Sequence, residues 1–161
     1  MAFEATPNDS VWPPVGEVSF EELCRGAARY FDEGDSYQAR CAVTQRQGEY
    51  VVVRLGMGAW EVHHLFTRAG ARYRFVGTLE STAGGGTHPH AVNVLAIQPR
   101  TYLGQTYVFL QMRHRWADHY GNGSHECANE YLLICVPEEG DAEERCSARV
   151  GTRQERDSRP P

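Results

Sequence analysis

The stretch WEVHHLFTRAGARYRFVGTL, residues 60–79, carries the pattern on which the fold class turns. Trp60, Val62, His64 and Phe66 recur at every second position, so an extended chain puts them on one face. Arg68-Ala69-Gly70-Ala71 is a turn signal. Beyond it Tyr73, Phe75 and Leu79 share a face while Arg72, Arg74 and Thr78 point away. Period two on both sides of a glycine turn predicts an antiparallel hairpin with one wet side.

The same period extends outward. Gln38 to Gln45 and Glu49 to Leu55 flank Arg46-Gln47-Gly48, a second hairpin signal. Ala91 to Gln98 and Gln105 to Arg115 read as two strands joined by Pro99 to Gly104, after a glycine-rich loop from Ser81 to Pro89. Residues 117–128 read as a polar loop, and Glu130 to Val136 with Arg145 to Val150 as a last hairpin. About eight strands result, and a curved sheet, a partly closed barrel or a sandwich would each accommodate them.

One helix breaks the pattern. Ser19 and Glu22 form an S-x-x-E capping box, in which each side chain satisfies a free N–H at a helix start. Phe20, Leu23, Cys24, Ala27, Ala28 and Phe31 then follow i, i+3, i+4 spacing and form one apolar stripe, with Gly34 past the end. The helix, over 19–31, is expected to lie against the sheet. The expected fold is therefore mainly β, an antiparallel sheet of about eight strands with one N-terminal helix packed on it. Residues 1–17, with Pro7, Pro13 and Pro14, read as an extended lead-in anchored by Trp12. Residues 18–150 read as a single β-rich domain, and 151–161 as a disordered polar tail.

Five cysteines and no C-x-x-C motif favour disulfides over a metal or redox motif. If residues 138–143 connect the last two strands, Pro137 lies opposite Glu144 and Cys135 lies opposite Cys146, close to disulfide geometry. Cys24 faces inward on the helix and Cys41 lies early in the first long strand, so a Cys24–Cys41 bridge would pin helix to sheet. Cys127 is left as the odd thiol.

Composition removes several classes. The chain has 161 residues, a formal net charge of −5, and 16 basic residues that are all arginine. An arginine-only set fits the coding bias of a GC-rich genome, and it excludes a Schiff-base or P-loop lysine. The acidic balance argues against a dedicated nucleic-acid binder. No apolar stretch approaches the ~20 residues of a transmembrane helix. Met1 to Val18 lacks the basic and apolar regions of a secretory signal, which leaves a cytoplasmic location as the alternative to export.

Catalytic motifs fail in turn. No serine sits in G-x-S-x-G. Gly84-Gly85-Gly86 precedes no helix that would hold an anion. The segment Asp118 to Asn129 lacks the calcium-loop glutamate at its twelfth position. A metal reading rests on His88, His90, His114, His119 and His125, for which zinc is the natural metal. Pro89 opposes a regular strand at the His88/His90 pair, and no cofactor is otherwise implied. His64 reads as a hydrogen-bonded core histidine. A binding reading rests on Tyr107, Phe109, Arg113 and Arg115, which share one strand face, joined by Arg72 and Arg74 in a basic stripe. Arginine with aromatics is the composition of interaction hot spots.

The order of features from Val92 to Val150 runs from a strand through Tyr102-Leu103-Gly104 to a long strand, a polar loop, Glu130-Tyr131-Leu132-Leu133-Ile134-Cys135 and Cys146. It resembles the C-terminal part of uncharacterised exported, β-rich proteins and lipoproteins of GC-rich, myxobacteria-like bacteria, and covers roughly a third of this chain. The resemblance implies export and the hairpin disulfide, and no catalytic residue. The expected function is a non-catalytic exported binding or assembly module, periplasmic or secreted, whose partner is a protein or cell-envelope component. The alternatives are a metal-binding protein or metal-dependent enzyme using the histidines above, and a small immunity or inhibitor protein.

Overall fold

The structure, a computed structural model, describes residues 12–31, 40–57, 60–83, 90–120, 123–137, 140–141 and 144–157. The lead-in up to residue 11, the Gly84-Gly85-Gly86 run, His88 and residues 158–161 lie outside them. In chain order the elements are β1 (Glu17–Ser19), α1 (Phe20–Phe31), β2 (Arg40–Gln47), β3 (Tyr50–Met57), β4 (Trp60–Ala69) and β5 (Arg72–Ala83). They continue with β6 (His90–Tyr102), β7 (Gln105–Tyr120), β8 (Gly123–Cys135) and β9 (Ala148–Asp157).

The strands form two antiparallel sheets. Sheet A has the order β1-β5-β4-β3-β2, and sheet B has the order β6-β7-β8-β9. The fold is thus mainly β with one helix on a sheet, as the sequence pattern predicts, and it is a sandwich rather than a closed barrel. The expected wet side moves, however. Sheet A is the middle of three layers. Val52, Tyr50, Leu65, Val76 and Leu79 pack against Val92, Ile97, Val108, Leu110, Met112, Tyr131 and Leu133 of sheet B. Val51, Val53, Leu55, Phe66, Tyr73 and Phe75 pack under Leu23 and Ala27 of α1, with Trp12 and Val18 alongside. The run Val51-Val52-Val53 is buried on both faces, which explains why it lacks the alternation of a half-wet strand.

The helix begins as its capping box requires. The Ser19 N–H donates to Glu22 Oε2 at 3.1 Å, and the Glu22 N–H donates to Ser19 Oγ at 3.1 Å. Leu23 and Ala27 are fully buried. Cys24 is bonded to Cys41 of β2, with 5.6 Å between their Cα atoms, so the helix layer is covalently fixed to sheet A. Cys135 is bonded to Cys146, with 4.1 Å between Cα atoms. Here the Val136 N–H donates to the Arg145 carbonyl at 2.8 Å. Cys146 lies in the turn ahead of β9 rather than within the strand. Cys127 is free and buried.

Three expectations about extent are corrected. Residues 117–128 are not a loop: Ala117↔Glu126, Asp118↔His125, His119↔Ser124 and Tyr120↔Gly123 pair as a ribbon. Backbone hydrogen bonds hold such a ribbon without apolar side chains, so hydropathy does not reveal it. The expected polar tail is strand as far as Asp157, which pairs with Glu126. The Pro99 to Gly104 connection shrinks to Leu103-Gly104, because the strands on either side run to Tyr102 and from Gln105. A short ninth strand, β1, extends sheet A beside β5 through Glu17↔Arg74, Val18↔Tyr73 and Ser19↔Arg72.

Polar ties join the two sheets at their margins. The Gln45 side-chain amide donates to the Val94 and Leu95 carbonyls at 3.4 and 3.3 Å, where β6 carries a bulge. The Arg145 guanidinium donates to the Val76 carbonyl at 3.3 Å.

Two outcomes check this architecture. In non-reduced protein, alkylation should label one thiol, and only after unfolding; after reduction it should label all five cysteines. Leu23→Ala should cost about 2–5 kcal/mol in urea unfolding, because the residue fills the space between α1 and sheet A.

Candidate functional site

Both faces of sheet A are covered, so a binding face has to be sought on sheet B. Alternation along β7 sorts its residues without ambiguity. Val108, Leu110 and Met112 are fully buried against sheet A. Tyr107, Phe109, Gln111, Arg113 and Arg115 therefore project from the outer face, where no other described element packs.

Register supplies the neighbours. Phe109 sits between Gln98 of β6 and Ile134 of β8, with Ala148 of β9 beyond. Gln111 sits between Ala96 and Leu132, with Val150 beyond, and Val150 is 52% exposed. Arg113 lies between Asn93 and Glu130, and Arg115 between Ala91 and Ala128. The outer face thus carries an apolar strip of Phe109, Leu132, Ile134, Ala148 and Val150. It is flanked by Arg113, Arg115 and Glu130. Opposite charges at directly facing positions, as with Arg113 and Glu130, favour the observed register. A shallow hollow of about 280 Å³ at the β8–β9 turn, lined by Ile134, Val136, Arg145 and Ala148 among others, continues this strip.

Four of the six residues expected to bind, Tyr107, Phe109, Arg113 and Arg115, lie together on this face. Arg72 and Arg74 do not join them. They are exposed on β5 of sheet A, paired with Ser19 and Glu17 of β1. The expected basic stripe is split because the chain leaves one sheet after β5 and starts another at β6. Period two tells which residues share a strand face, but not which strands share a sheet.

The histidines of the metal reading fall at the far end of sheet B. His90 lies opposite Trp116, His114 opposite Val92 and Asn129, His125 opposite Asp118, and His119 opposite Ser124. The His114 ring lies 5.1 Å from that of Trp116. His88 lies outside the described residues, as do the side chains of His90, His119 and His125. Among the described residues, no three histidine, cysteine, aspartate or glutamate side chains converge as metal ligands.

A polar cluster inside the sandwich escaped the sequence reading. His63 and His64 are adjacent on β4 and point to opposite faces of sheet A. His63, 2% exposed, faces sheet B. Its Nε2 lies 3.0 Å from Glu61 Oε1, a close polar contact without hydrogen-bond alignment. The Arg54 Nε lies 3.8 Å from the same oxygen. Glu80, across from His63 in the β4–β5 register, accepts a hydrogen bond from the Tyr131 hydroxyl at 2.7 Å. The Arg149 guanidinium pairs with the same Glu80 oxygen and stacks 4.0 Å over the Tyr131 ring. This bond set ties β5 of sheet A to β8 and β9 of sheet B. Burial, with help from the Glu80 hydrogen bond, pushes the Tyr131 phenol well above its ordinary value.

His64 faces α1. Its Nδ1 is 3.2 Å from Thr78 Oγ1, and the rings of Trp12, Phe75 and Phe66 lie 5.4, 5.8 and 6.5 Å away. It is the hydrogen-bonded core histidine the sequence predicts. Burial, with the neighbouring His63, pushes its pKa down to about 3. For His63, burial lowers the pKa more than Glu61 raises it, and Arg54 lowers it further. Both imidazoles are therefore predominantly neutral at pH 7, and both are buried.

A folded pKa below the unfolded value means that the unfolded chain binds the proton first. The histidine contribution to stability is full above about pH 6.5 and is lost as pH falls toward the folded values. The slope is at most about 1.4 kcal/mol per pH unit for each group. Urea unfolding from pH 7.5 to 4.5 should show this acid loss, and His64→Gln should reduce it. An equal acid slope in both proteins would contradict the assignment. No family model, no curated protein and no solved structure matches the chain, so its function is read from this geometry.

Proposed function

We propose that the protein is a non-catalytic binding or assembly module that docks a protein or other cell-envelope component on the outer face of sheet B. The observation that carries this reading is the asymmetry of the layers. Three of the four sheet faces are packed against another element. The fourth displays Phe109, Leu132, Ile134 and Val150 beside Arg113 and Arg115. Apolar groups on such a face gain little from the fold itself, whereas a partner would bury them. Arginine and aromatic side chains at its centre are those that contribute most at protein interfaces.

The cysteines support a reading of the compartment. Two disulfides at Cys24–Cys41 and Cys135–Cys146 favour an oxidising environment, because reducing compartments suppress them. The resemblance of the Val92 to Val150 region to exported β-rich proteins and lipoproteins points the same way. A periplasmic or secreted location is the reading these features support. Among the described residues, no helix is long and apolar enough to cross a membrane.

The test is photo-crosslinking in the producing cell. A crosslinker at Phe109 or Val150 should give one discrete adduct, and a crosslinker at the exposed Arg72 or Arg74 should not. Arg113→Ala should weaken the adduct-forming association about tenfold, or ~1.4 kcal/mol. Equal labelling from both sheets, or no adduct from either face, would overturn the proposal.

A further inference from the structure

The β6–β7 hairpin extends past the rest of its sheet. Pairing of β7 with β8 starts at Val108↔Cys135. Arg100, Thr101 and Tyr102, with their partners Tyr107, Thr106 and Gln105, therefore project beyond β8 as a two-stranded ribbon. Tyr102 is 68% exposed and Leu103 is 89% exposed, the most exposed large apolar side chain among the described residues. Both residues of the turn have positive φ, 48° at Leu103 and 77° at Gly104. Two-residue hairpin turns of this kind favour asparagine or aspartate before glycine, because a bulky side chain is strained in the left-handed region. The chain thus holds leucine where the backbone opposes it and where no core residue touches it. Nothing in the fold benefits from that choice.

Charge is segregated around the same hairpin. From Ser81 through Ala117 the sequence contains no aspartate or glutamate, although the chain has 21 acidic residues. Arg100, Arg113 and Arg115 lie in this acid-free stretch, and Arg100 is exposed beside the tip. Within the paired β6–β7 ribbon, from His90 to Trp116, the approach of the tip to a negative surface therefore meets no acidic side chain of the ribbon itself.

We infer that the Tyr102-Leu103 tip seats the protein on an anionic lipid surface. Leu103 would enter the acyl boundary, Tyr102 would lie at the headgroup level, and Arg100 would pair with lipid phosphates. Tyrosine and leucine next to a cationic side chain are the chemistry of interfacial anchoring. A lipid surface fits better than a protein groove because the tip is convex and narrow. Two side chains bury much less than the ~800 Å² per partner of a stable protein interface, whereas a bilayer closes around a point. This inference names one partner for the binding reading above but uses a different part of the molecule, so each can fail without the other.

The experiment is flotation of the full chain with vesicles of phosphatidylcholine and phosphatidylglycerol (3:1), against vesicles of phosphatidylcholine alone. The protein should float with the anionic vesicles only, and salt should release it. Leu103→Asn, which suits the turn, should lower the bound fraction about tenfold while leaving urea stability unchanged or higher. Arg100→Gln should lower it several-fold, and Phe109→Ala, on the outer face, should leave it unchanged. Failure of the wild type to float, equal flotation with neutral vesicles, or full binding by Leu103→Asn would each overturn the inference. A crosslink from Leu103 to a single protein, without flotation, would assign the tip to a protein partner instead. Loss of flotation with Phe109→Ala as well would mean that the tip has no role separate from the outer face. The Phe109 and Val150 crosslinks test the outer-face reading whatever the vesicles show.

Discussion

Val51, Val52 and Val53 point alternately toward the helix and toward sheet B, and water reaches none of them. A strand buried on both faces has to satisfy every backbone group within its own sheet. β3 does so by pairing with β4 along its full length and with β2 from Tyr50 to Gly56. Each of the covering layers is then tied to sheet A by a covalent or polar link. The Cys24–Cys41 bond holds α1 to β2. The Glu80–Tyr131–Arg149 set holds β8 and β9 to β5, and Gln45 holds the β2 edge to β6.

The polar residues between the sheets follow from the same constraint. A carboxylate at Glu80, 18% exposed in its side chain, is costly to desolvate unless its oxygens are bonded. A phenol and a guanidinium, brought from the other sheet, serve that need. The Arg149 guanidinium carbon lies 4.0 Å from the Tyr131 ring centroid, so the ring is held by a cation–π contact as well as by the hydrogen bond of its hydroxyl. His63 is handled differently: it is kept neutral by burial, with Glu61 beside it. Glu80 with its two partners therefore contributes to the alignment of the sheets as well as to the interior. Hydrophobic contact alone is non-directional and would allow the two sheets to slide.

Local features were legible in the sequence because each depends on residues close in the chain. The capping box at Ser19 and Glu22, the stripe at Leu23 and Ala27, and the opposition of Cys135 and Cys146 all rest on short spacings. The Cys24–Cys41 bond was legible for a related reason, since Cys24 falls on the inward face of the helix and Cys41 early in the strand that follows it. What stayed hidden was the partition of strands between sheets. The 80s connection carries the chain from sheet A to sheet B, and alternation is the same on both sides of it. Arg72 and Arg74 were therefore grouped with Arg113 and Arg115, although β5 and β7 belong to different layers. The Glu80–Tyr131–Arg149 set was invisible because its members are separated by dozens of residues and meet only when the sheets stack. The paired ribbon at 117–126 was missed because it is polar on both sides, and pairing there leaves no hydropathy signal.

The layer order also explains where recognition chemistry can sit. The centre of sheet A is packed on both faces, and its exposed side chains, such as Arg72 and Arg74 on β5, lie outside that packed centre. Sheet B is covered once, and the chain places its acid-free stretch there. If arginine were simply the solvating cation of this lysine-free protein, Arg100 and Arg115 would be expected opposite acidic residues, as Arg113 is opposite Glu130 and Arg25 is beside Glu21. Instead β6 carries no acidic residue, and β7 carries none before Asp118. Glu130 of β8 faces Arg113 across the ladder as the first counter-charge on that side. An exposed leucine held at positive φ stands at one end of the same hairpin. Solubility accounts for neither feature: charged residues of mixed sign would serve it better, and asparagine would suit the turn better. Both are consistent with selection for contact, with the first sheet and the helix acting as the rigid base from which the second sheet is presented.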